Sequence, residues 1–215
     1  MLMDTVKRPV EQRILLSNVS WETYERLLAD HLDSSVPHFN YDRGMLEIMS
    51  PNPEHEKINR TINLLVEIVA EEMGLDTENL GSTTFRREDL KRGFEPDTCF
   101  YVQNEERIRG KARLDLTVDP PPDLVIEIDI TSPSLDKFPI YARIGVPEVW
   151  RYDGEKIAIF RLEGNVYAEA PESAILPPLS GEVLSGFVEE GKVLGRTAWL
   201  KRVREWARKR IEPAP

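Results

Sequence analysis

The amino-acid sequence predicts an α/β or α+β fold in which a central mixed β-sheet is flanked by helices. Apolar residues recur at helical spacing in the first third and at the end of the chain. Strand-like segments lie between them, and the last three form a meander. The 215 residues, of which 40% are hydrophobic, suffice for one domain with a full core. We therefore expect residues 1–215 to form a single domain.

The N-terminal part of the chain predicts two helices separated by a strand. The first helix is expected over residues 20–33 and the strand over residues 43–49. Asn52 then stands at an N-cap position and Pro53 at a first helical position, both typical of a helix start. The second helix carries an apolar stripe at helical spacing: Ile58, Ile62, Leu65, Val66, Val69, Ala70 and Met73. Gly74 is expected to end it.

The remaining elements are mostly strands. Three segments have strand-like composition: residues 81–87, 95–103 and 123–130. A short helix is expected over residues 136–144, closed by Gly145. The strands of the meander, joined by Asp-Gly and Gly-Asn turns, are residues 149–152, 156–162 and 166–170. A last helix is expected over residues 198–211.

Composition excludes several classes of protein. The single cysteine, Cys99, excludes an intrachain disulfide and a cysteine-cluster metal site. Three histidines make a histidine-based zinc site unexpected. No apolar stretch reaches the roughly 18–20 residues that a membrane span requires, and residues 1–16 lack the apolar core of a signal peptide. We expect a cytoplasmic protein that does not associate with membranes.

The net charge of −10 is unfavourable for a nucleic-acid partner, because phosphate backbones are bound mainly by Lys and Arg. The positive charges nevertheless form two clusters. Residues 197–215 contain six basic residues against two acidic ones, and Arg86, Arg87, Lys91 and Arg92 form the second cluster. Each cluster could be a solvated surface or a nucleic-acid contact. Charge therefore neither establishes nor excludes DNA.

The pattern of residues 123–130 (DLVIEIDI) carries the strongest functional signal. Because side chains alternate along a strand, one face is wholly apolar while the other carries Asp123, Glu127 and Asp129. Like charges crowded on a central strand are destabilising unless something neutralises them, and a divalent cation does so with oxygen ligands. The alternative is that these carboxylates lie on the solvated face of an antiparallel strand.

A further carboxylate, Asp97, follows Pro96 and precedes another strand-like run. If the two strands pair side by side, Asp97 and Glu127 converge and can share one Mg²⁺ with a scissile phosphate. Such a cation acidifies a bound water and offsets the charge on the reacting phosphate. Alternatively, Asp97 is only a residue of a turn or strand start.

Lys137 supplies a positive charge close by in the sequence. Pro139 is tolerated only in the first turn of a helix, so the N-cap is expected near Asp136 and Lys137 at the helix start. Tyr141 lies four residues later, on the same helix face. Lys137 could orient an attacking water and stabilise negative charge, and Tyr141 could position the lysine or a phosphate oxygen. The alternative is that Lys137 is a surface charge.

These residues stand in longer runs that resemble a known family. The runs are MLEIMSPNPEH (45–55), EPDTCFYV (95–102), PDLVIEIDITSPS (122–134) and DKFPIYARIGVPEVWRYD (136–153). They are similar to the Uma-type restriction endonucleases, a branch of the PD-(D/E)XK nuclease superfamily. The resemblance covers roughly residues 43–170 and implies a restriction-endonuclease-like fold with an additional meander. Helices 20–33 and 198–211 would be additions to this core.

The resemblance also implies roles for individual residues. Asp97 matches the PD element and Glu127 the acidic residue of (D/E)XK. At the next motif position Asp129 stands in place of lysine, and the lysine looks displaced to Lys137 on the following helix. Asp129 could then be an extra metal ligand or could hold Lys137 charged.

Four residues receive accessory roles. Glu47 resembles an accessory acid of the superfamily, which would contact metal or water, and His55 could contact a phosphate or a base. The alternatives are an exposed strand glutamate and a histidine of a helix-capping region. Arg86 and Arg87 are further candidates for nucleic-acid contacts.

The sequence thus predicts a Mg²⁺- or Mn²⁺-dependent endonuclease that acts on DNA. A homodimer is expected mainly from the resemblance, since a double-strand cut needs two sites and the edge of a meander suits subunit pairing. The alternatives are a catalytically inactive nuclease fold that serves as a binding module, and an enzyme acting on another phosphodiester or a nucleotide. No helix-turn-helix, zinc-finger or RNP signature indicates a target sequence.

Overall fold

The computed structural model describes residues 12–32, 34, 36–130 and 135–211, which form two β-sheets flanked by helices. The strands are β1 (Gln12–Leu16), β2 (His38–Asp42), β3 (Met45–Ser50), β4 (Glu78–Asn79), β5 (Phe85–Arg87), β6 (Arg92–Phe94), β7 (Thr98–Tyr101), β8 (Leu124–Ile128), β9 (Glu148–Tyr152), β10 (Ile157–Glu163) and β11 (Val166–Ala170). The α-helices are α1 (Trp21–Asp30), α2 (Pro53–Glu72), α3 (Glu105–Ile108), α4 (Phe138–Ile144), α5 (Gly181–Val193) and α6 (Arg196–Ile211). The predicted fold class is confirmed. Among the helices of this described part, none is both long and apolar enough to cross a membrane.

The strands are divided between two sheets. The N-terminal sheet has the order β1-β3-β2-β6-β5 and is antiparallel. The main sheet has the order β11-β10-β9-β8-β7-β4, and within it β8 and β9 run parallel. A parallel pair needs a crossover connection, and α4 lies in that connection. The predicted meander, β9 to β11, therefore continues the main sheet.

Helix α2 begins as predicted. The side chain of Asn52 accepts hydrogen bonds from the backbone N–H groups of Glu54 and His55, each at 2.9 Å, and Pro53 is the first helical residue. After the helix, Gly74 has a φ of +69°, a conformation that glycine adopts without strain. The apolar stripe of α2 packs against the main sheet, so this helix fixes the position of the site residues that it carries.

The two faces of β8 pack against different layers. One face joins the core formed with α2, α5 and α6 through Leu124, Ile126 and Ile128. The other face carries Val125, which is covered by Ile140 and Tyr141 of α4. Glu127, two residues after Val125, points to the same side. Alternation along β8 therefore directs its central carboxylate toward α4.

Helix α6 belongs to the packed interior. It contributes Trp199, Val203 and Ala207 to the core. Arg204 and Arg208 pair with Glu72 of α2, at 3.3 and 2.8 Å. Part of the C-terminal basic cluster therefore holds α6 against α2 and is neutralised there.

Several features differ from the sequence prediction. Helix α1 ends at Asp30 instead of the predicted residue 33, and Leu32 beyond its end is 82% exposed. Helix α5 is not predicted, because it follows a proline-rich stretch that favours a loop; Ser180 caps it. Strands β1 and β2 are not predicted either. They pair with β3 on its two sides, so the predicted strand 43–49 belongs to a separate sheet.

Candidate active site

Five of the predicted site residues lie together where the two sheets adjoin: Glu47, Asp97, Glu127, Lys137 and Tyr141. They come from β3, the connection between β6 and β7, β8, and the start of α4. The register of β7 and β8 pairs Thr98 with Ile126, and one further step sets Asp97 opposite Glu127. All five side chains are buried. Antiparallel pairing thus brings the two motif carboxylates to one place.

The Asp97 carboxylate is held by the backbone of β8 and by α2. Its Oδ2 accepts hydrogen bonds from the backbone N–H of Ile128 at 2.7 Å and from His55 Nε2 at 3.1 Å. Burial alone would raise the pKa of Asp97. The hydrogen bond and charge of His55 oppose burial, as do the Lys137 ammonium and the Ile128 N–H, and the pKa is lowered to about 2. Asp97 is therefore ionised at neutral pH.

The Glu127 carboxylate is bonded on both oxygens. Lys137 Nζ pairs with Oε2, and the Tyr141 hydroxyl donates to Oε1. Burial raises the pKa of Glu127 to about 7, helped by the charge of Asp97 and opposed by Lys137 and Tyr141. Burial and Glu127 also raise the pKa of Tyr141, which keeps its proton. Near neutral pH, Glu127 is thus poised between its protonated and ionised forms.

Lys137 lies among three carboxylates. Burial would lower the pKa of Lys137, but the charges of Glu127, Asp97 and Glu47 outweigh burial and raise it. The lysine is itself the N-cap residue of α4, one position after the predicted N-cap at Asp136. Its ammonium is therefore charged and held at the start of the helix.

Glu47 is fixed by the N-terminal sheet and by the chain leading into α4. Its Oε1 accepts from Asn40 Nδ2 at 3.2 Å, and its Oε2 accepts from the backbone N–H of Leu135 at 2.9 Å. Arg13 of β1 adds an ion pair at 3.5 Å. Asn40 in turn accepts a hydrogen bond from the backbone N–H of Glu95 at 3.0 Å. Asn40 therefore links Glu47 to the segment that carries Asp97.

The three carboxylates predicted on one face of residues 123–130 have separate partners. Asp123 lies at the opposite end of β8, where it accepts hydrogen bonds from the backbone N–H groups of Val102 and Asn104. Asp129 is about one-third exposed and pairs with Arg13 at 3.3 Å. Asp129 is predicted either to bind metal or to hold Lys137 charged. Its contact with Arg13 gives no support to the second role.

The Uma2 family model, described as “Putative restriction endonuclease”, matches residues 21–189. The chain belongs to the Uma2 family. The predicted family is therefore confirmed, and with it the coarse function, a nuclease of restriction-endonuclease type.

A solved structure supports the fold of this Uma2 chain. It is described as a “putative nuclease belonging to DUF820 from Anabaena variabilis ATCC 29413” and is 16% identical in sequence, with a TM-score of 0.51. The match covers 79% of this chain and 99% of that chain. At this identity the likeness shows the fold alone. A comparison with curated proteins gave no match.

The three predicted nucleic-acid contacts of this Uma2 chain lie in different surroundings. His55 is 0% exposed behind Asp97, so its side chain does not reach the surface. Arg86 is more than half exposed, with Glu25 at 3.4 Å. Arg87 binds Asp89 through two hydrogen bonds, at 2.8 and 2.7 Å. Contact by Arg86 and Arg87 stays a prediction, whereas the position of His55 suits the orientation of Asp97.

Sequence reasoning missed several polar residues that hold the site. Asn40 and Arg13 lie on strands that the sequence did not predict. Asn59 donates a hydrogen bond to the backbone carbonyl of Asp97 at 3.0 Å. A signal for Asn59 exists, because it lies four residues after His55 and therefore on the same face of α2. Two buried polar residues at that spacing beside an apolar stripe indicate a polar contact with the sheet.

The carboxylates of this Uma2 site fit a divalent cation. Asp97 Oδ1 is buried, and no residue that the structure describes gives it a hydrogen bond. Each Glu127 oxygen keeps further acceptor capacity beyond its bond to Lys137 or Tyr141. The described ranges contain no group of three or more His, Cys, Asp or Glu side chains that could hold a metal ion. Mg²⁺ commonly needs only one or two carboxylates, with water completing its coordination. Restriction-endonuclease-like families generally use divalent metals.

A cleft of about 600 Å³ opens to solvent beside Asp97. It lies between α2, the start of β2 and residues 79–82, and its lining includes His38, Asn59 and Asp97. The cleft therefore adjoins the buried Asp97 carboxylate, whose side chain is 1% exposed.

Proposed function

We propose that this protein is a divalent-metal-dependent endonuclease that hydrolyses phosphodiester bonds in DNA. The observation that carries the proposal is the convergence of Asp97, Glu127 and Lys137, from three separate elements, in one buried cluster. Two carboxylates and a lysine are the groups that this chemistry needs, and Uma2 membership gives the reaction class.

Asp97 and Glu127 would hold the cation, Mg²⁺ or Mn²⁺. When bound there, the cation would acidify a water molecule and offset negative charge on the phosphate. Asp97 is ionised and has one oxygen without a hydrogen-bond donor from the described residues. Glu127, with a pKa raised to about 7, can release a proton near neutral pH when a positive charge approaches.

Lys137 and Tyr141 would serve the reacting groups. The charged Lys137 ammonium would orient the attacking water and stabilise charge that develops on the phosphate. The Tyr141 hydroxyl, which donates to Glu127, would fix the direction of that carboxylate. Glu47 would act as the accessory acid whose charge helps to keep Lys137 charged, and Asp129, which pairs with Arg13, would be an extra metal ligand.

His55 would act as a positioning residue, because it reaches Asp97 from a fully buried place. Arg86 and Arg87 would contact the phosphate backbone outside the catalytic cluster. We further propose a homodimer, since cutting both strands of a duplex needs two sites, and a cytoplasmic location.

A catalytically inactive binding module is the second candidate. Two observations favour it: the net charge of −10, which opposes binding of nucleic acid, and Asp129 at the motif position where the superfamily has lysine. Calorimetric titration with Mg²⁺ or Mn²⁺ separates the two candidates. An enzyme of the proposed kind binds the cation at millimolar concentration, whereas absence of binding would favour the module.

Cleavage of supercoiled plasmid tests the proposed activity. Wild type is expected to cut in Mg²⁺ or Mn²⁺ and not in EDTA, and Asp97→Asn and Glu127→Gln are each expected to lose at least about 100-fold in rate. Glu148→Gln is the matched control, because Glu148 is a buried carboxylate of the neighbouring strand that binds Ser173 and Trp150 outside the site. Cleavage that survives both site substitutions would overturn the mechanism.

A further inference from the structure

A histidine lies beside the unused oxygen of Asp97. His38 is the first residue of β2, and its Nδ1 is 3.9 Å from Asp97 Oδ1. The two side chains are 7% and 1% exposed. Neither atom has a hydrogen-bond partner among the residues that the structure describes. Buried polar atoms are rarely left without partners, so two such atoms 3.9 Å apart indicate a place where a ligand binds.

The separation of the two atoms identifies the kind of ligand. At 3.9 Å they are too far apart for a hydrogen bond, which needs about 3.5 Å or less. They are close enough for one ion, because two metal–ligand bonds of about 2.1 Å span up to about 4.2 Å. Both residues also line the cleft described above, which opens to solvent.

We propose that His38 Nδ1 and Asp97 Oδ1 together bind a divalent first-row transition cation, of which Mn²⁺ is the expected one. The inference rests on the proposed function, because Asp97 Oδ1 is the oxygen that the catalytic cation would use. It adds a nitrogen ligand from the N-terminal sheet beside Asp97 Oδ1. It also names the class of cation that the site prefers.

The chemistry of imidazole sets this preference. Mg²⁺ strongly favours oxygen ligands, while imidazole suits transition metals. A site with one imidazole therefore binds Mn²⁺ more tightly than Mg²⁺. Loss of the imidazole reduces the difference in affinity between the two ions. His55 is not expected to compete for the ion through Nε2, because that atom already bonds Asp97 Oδ2 at 3.1 Å.

Pulsed electron paramagnetic resonance tests the proposal without measuring activity. The full chain is first stripped of metal and then loaded with Mn²⁺. A directly bound imidazole couples its nitrogen nucleus to the Mn²⁺ electron spin. We expect this nitrogen signal in wild type and its loss in His38→Gln. We also expect Mn²⁺ affinity in His38→Gln to fall at least about tenfold, the lower end of the effect of removing groups that support a metal. Mg²⁺ affinity should fall less.

Two histidine variants serve as controls. His31→Gln alters a histidine that bonds the backbone carbonyl of Leu27, away from the cleft. His55→Gln keeps a side-chain donor for Asp97. Both are expected to retain the nitrogen signal. If His38→Gln does not fold, as circular dichroism would show, His38→Asn replaces it.

The outcomes distinguish this inference from the proposed function. Mn²⁺ that binds without a nitrogen signal, or with a signal that persists in His38→Gln, would overturn the role of His38 and leave a carboxylate-bound metal in place. Loss of the signal in His55→Gln but not in His38→Gln would also overturn it. A chain that binds no Mn²⁺ would overturn both proposals.

Discussion

The lowered pKa of Asp97 predicts how the free energy of unfolding depends on pH. The pKa of Asp97 lies at about 2 in the folded chain, against an ordinary value of 3.8. A carboxyl whose folded pKa is lowered stabilises the fold above its unfolded pKa, and this stabilisation is lost as pH falls through the folded pKa. This pKa shift stabilises the folded chain by about 2 kcal/mol at pH 5 and by about 1 kcal/mol at pH 3.

Asp97→Asn removes the ionisable group and tests this value. The comparison begins at pH 5, where Glu127, with a pKa of about 7, is mostly protonated, so that loss of Asp97 relieves little repulsion. Urea denaturation in EDTA, followed by tryptophan fluorescence, is expected to show the variant less stable by about 2 kcal/mol at pH 5, with the gap closing toward pH 2. Asp30→Asn, at the exposed end of α1, is the control. A difference in stability that stays constant between pH 5 and pH 3 would show that the pKa of Asp97 is not lowered in the folded chain.

Two further predictions concern Lys137 and Gly93. Lys137→Met leaves Glu127 without its cation, so we expect the pKa of Glu127 to rise above 7 and plasmid cleavage to fall about 100-fold. Infrared titration of the carboxyl group measures the pKa. Lys111→Met, which removes the lysine of an exposed ion pair, should change neither the pKa of Glu127 nor the cleavage rate. A Cβ added at Gly93 would lie 2.1 Å from the buried Tyr24 hydroxyl, so Gly93→Ala should destabilise the chain by about 1–3 kcal/mol in urea denaturation. Gly186→Ala, which meets nothing within 4 Å in helix α5, should not destabilise it. An unchanged midpoint for Gly93→Ala would show that the β6–α1 contact yields easily.

Local rules explain the part of the fold that the sequence predicts. The start of α2 follows from Asn52 and Pro53, because their capping chemistry acts within one turn. The apolar face of β8 follows from alternation, which needs no knowledge of the neighbours. The N-terminal sheet depends on pairing between strands distant in sequence, such as β2 with β6, and the short β2 run carries no alternating pattern that indicates it.

The candidate site shows the same division. Asp97 and Glu127 lie opposite each other because β7 and β8 pair in antiparallel register. The sequence predicts both strands but leaves open whether they pair. The fixation of Glu47 by Asn40 could not be predicted, because it depends on β2 lying beside β3. The proximity of His38 to Asp97 has the same cause, since β2 brings together residues separated by almost 60 positions. The catalytic and metal-binding roles of these residues stay predictions.

We propose that Asp97 and Glu127 form a metal-dependent phosphodiesterase site. The most direct measurement is the initial rate of plasmid cleavage as a function of Mn²⁺ concentration, for wild type, Asp97→Ala and Glu127→Ala under identical conditions. We expect a rate that saturates with Mn²⁺ in wild type and falls to the EDTA background in both variants. Equal rates in all three proteins, or wild-type cleavage that persists in EDTA, would contradict it.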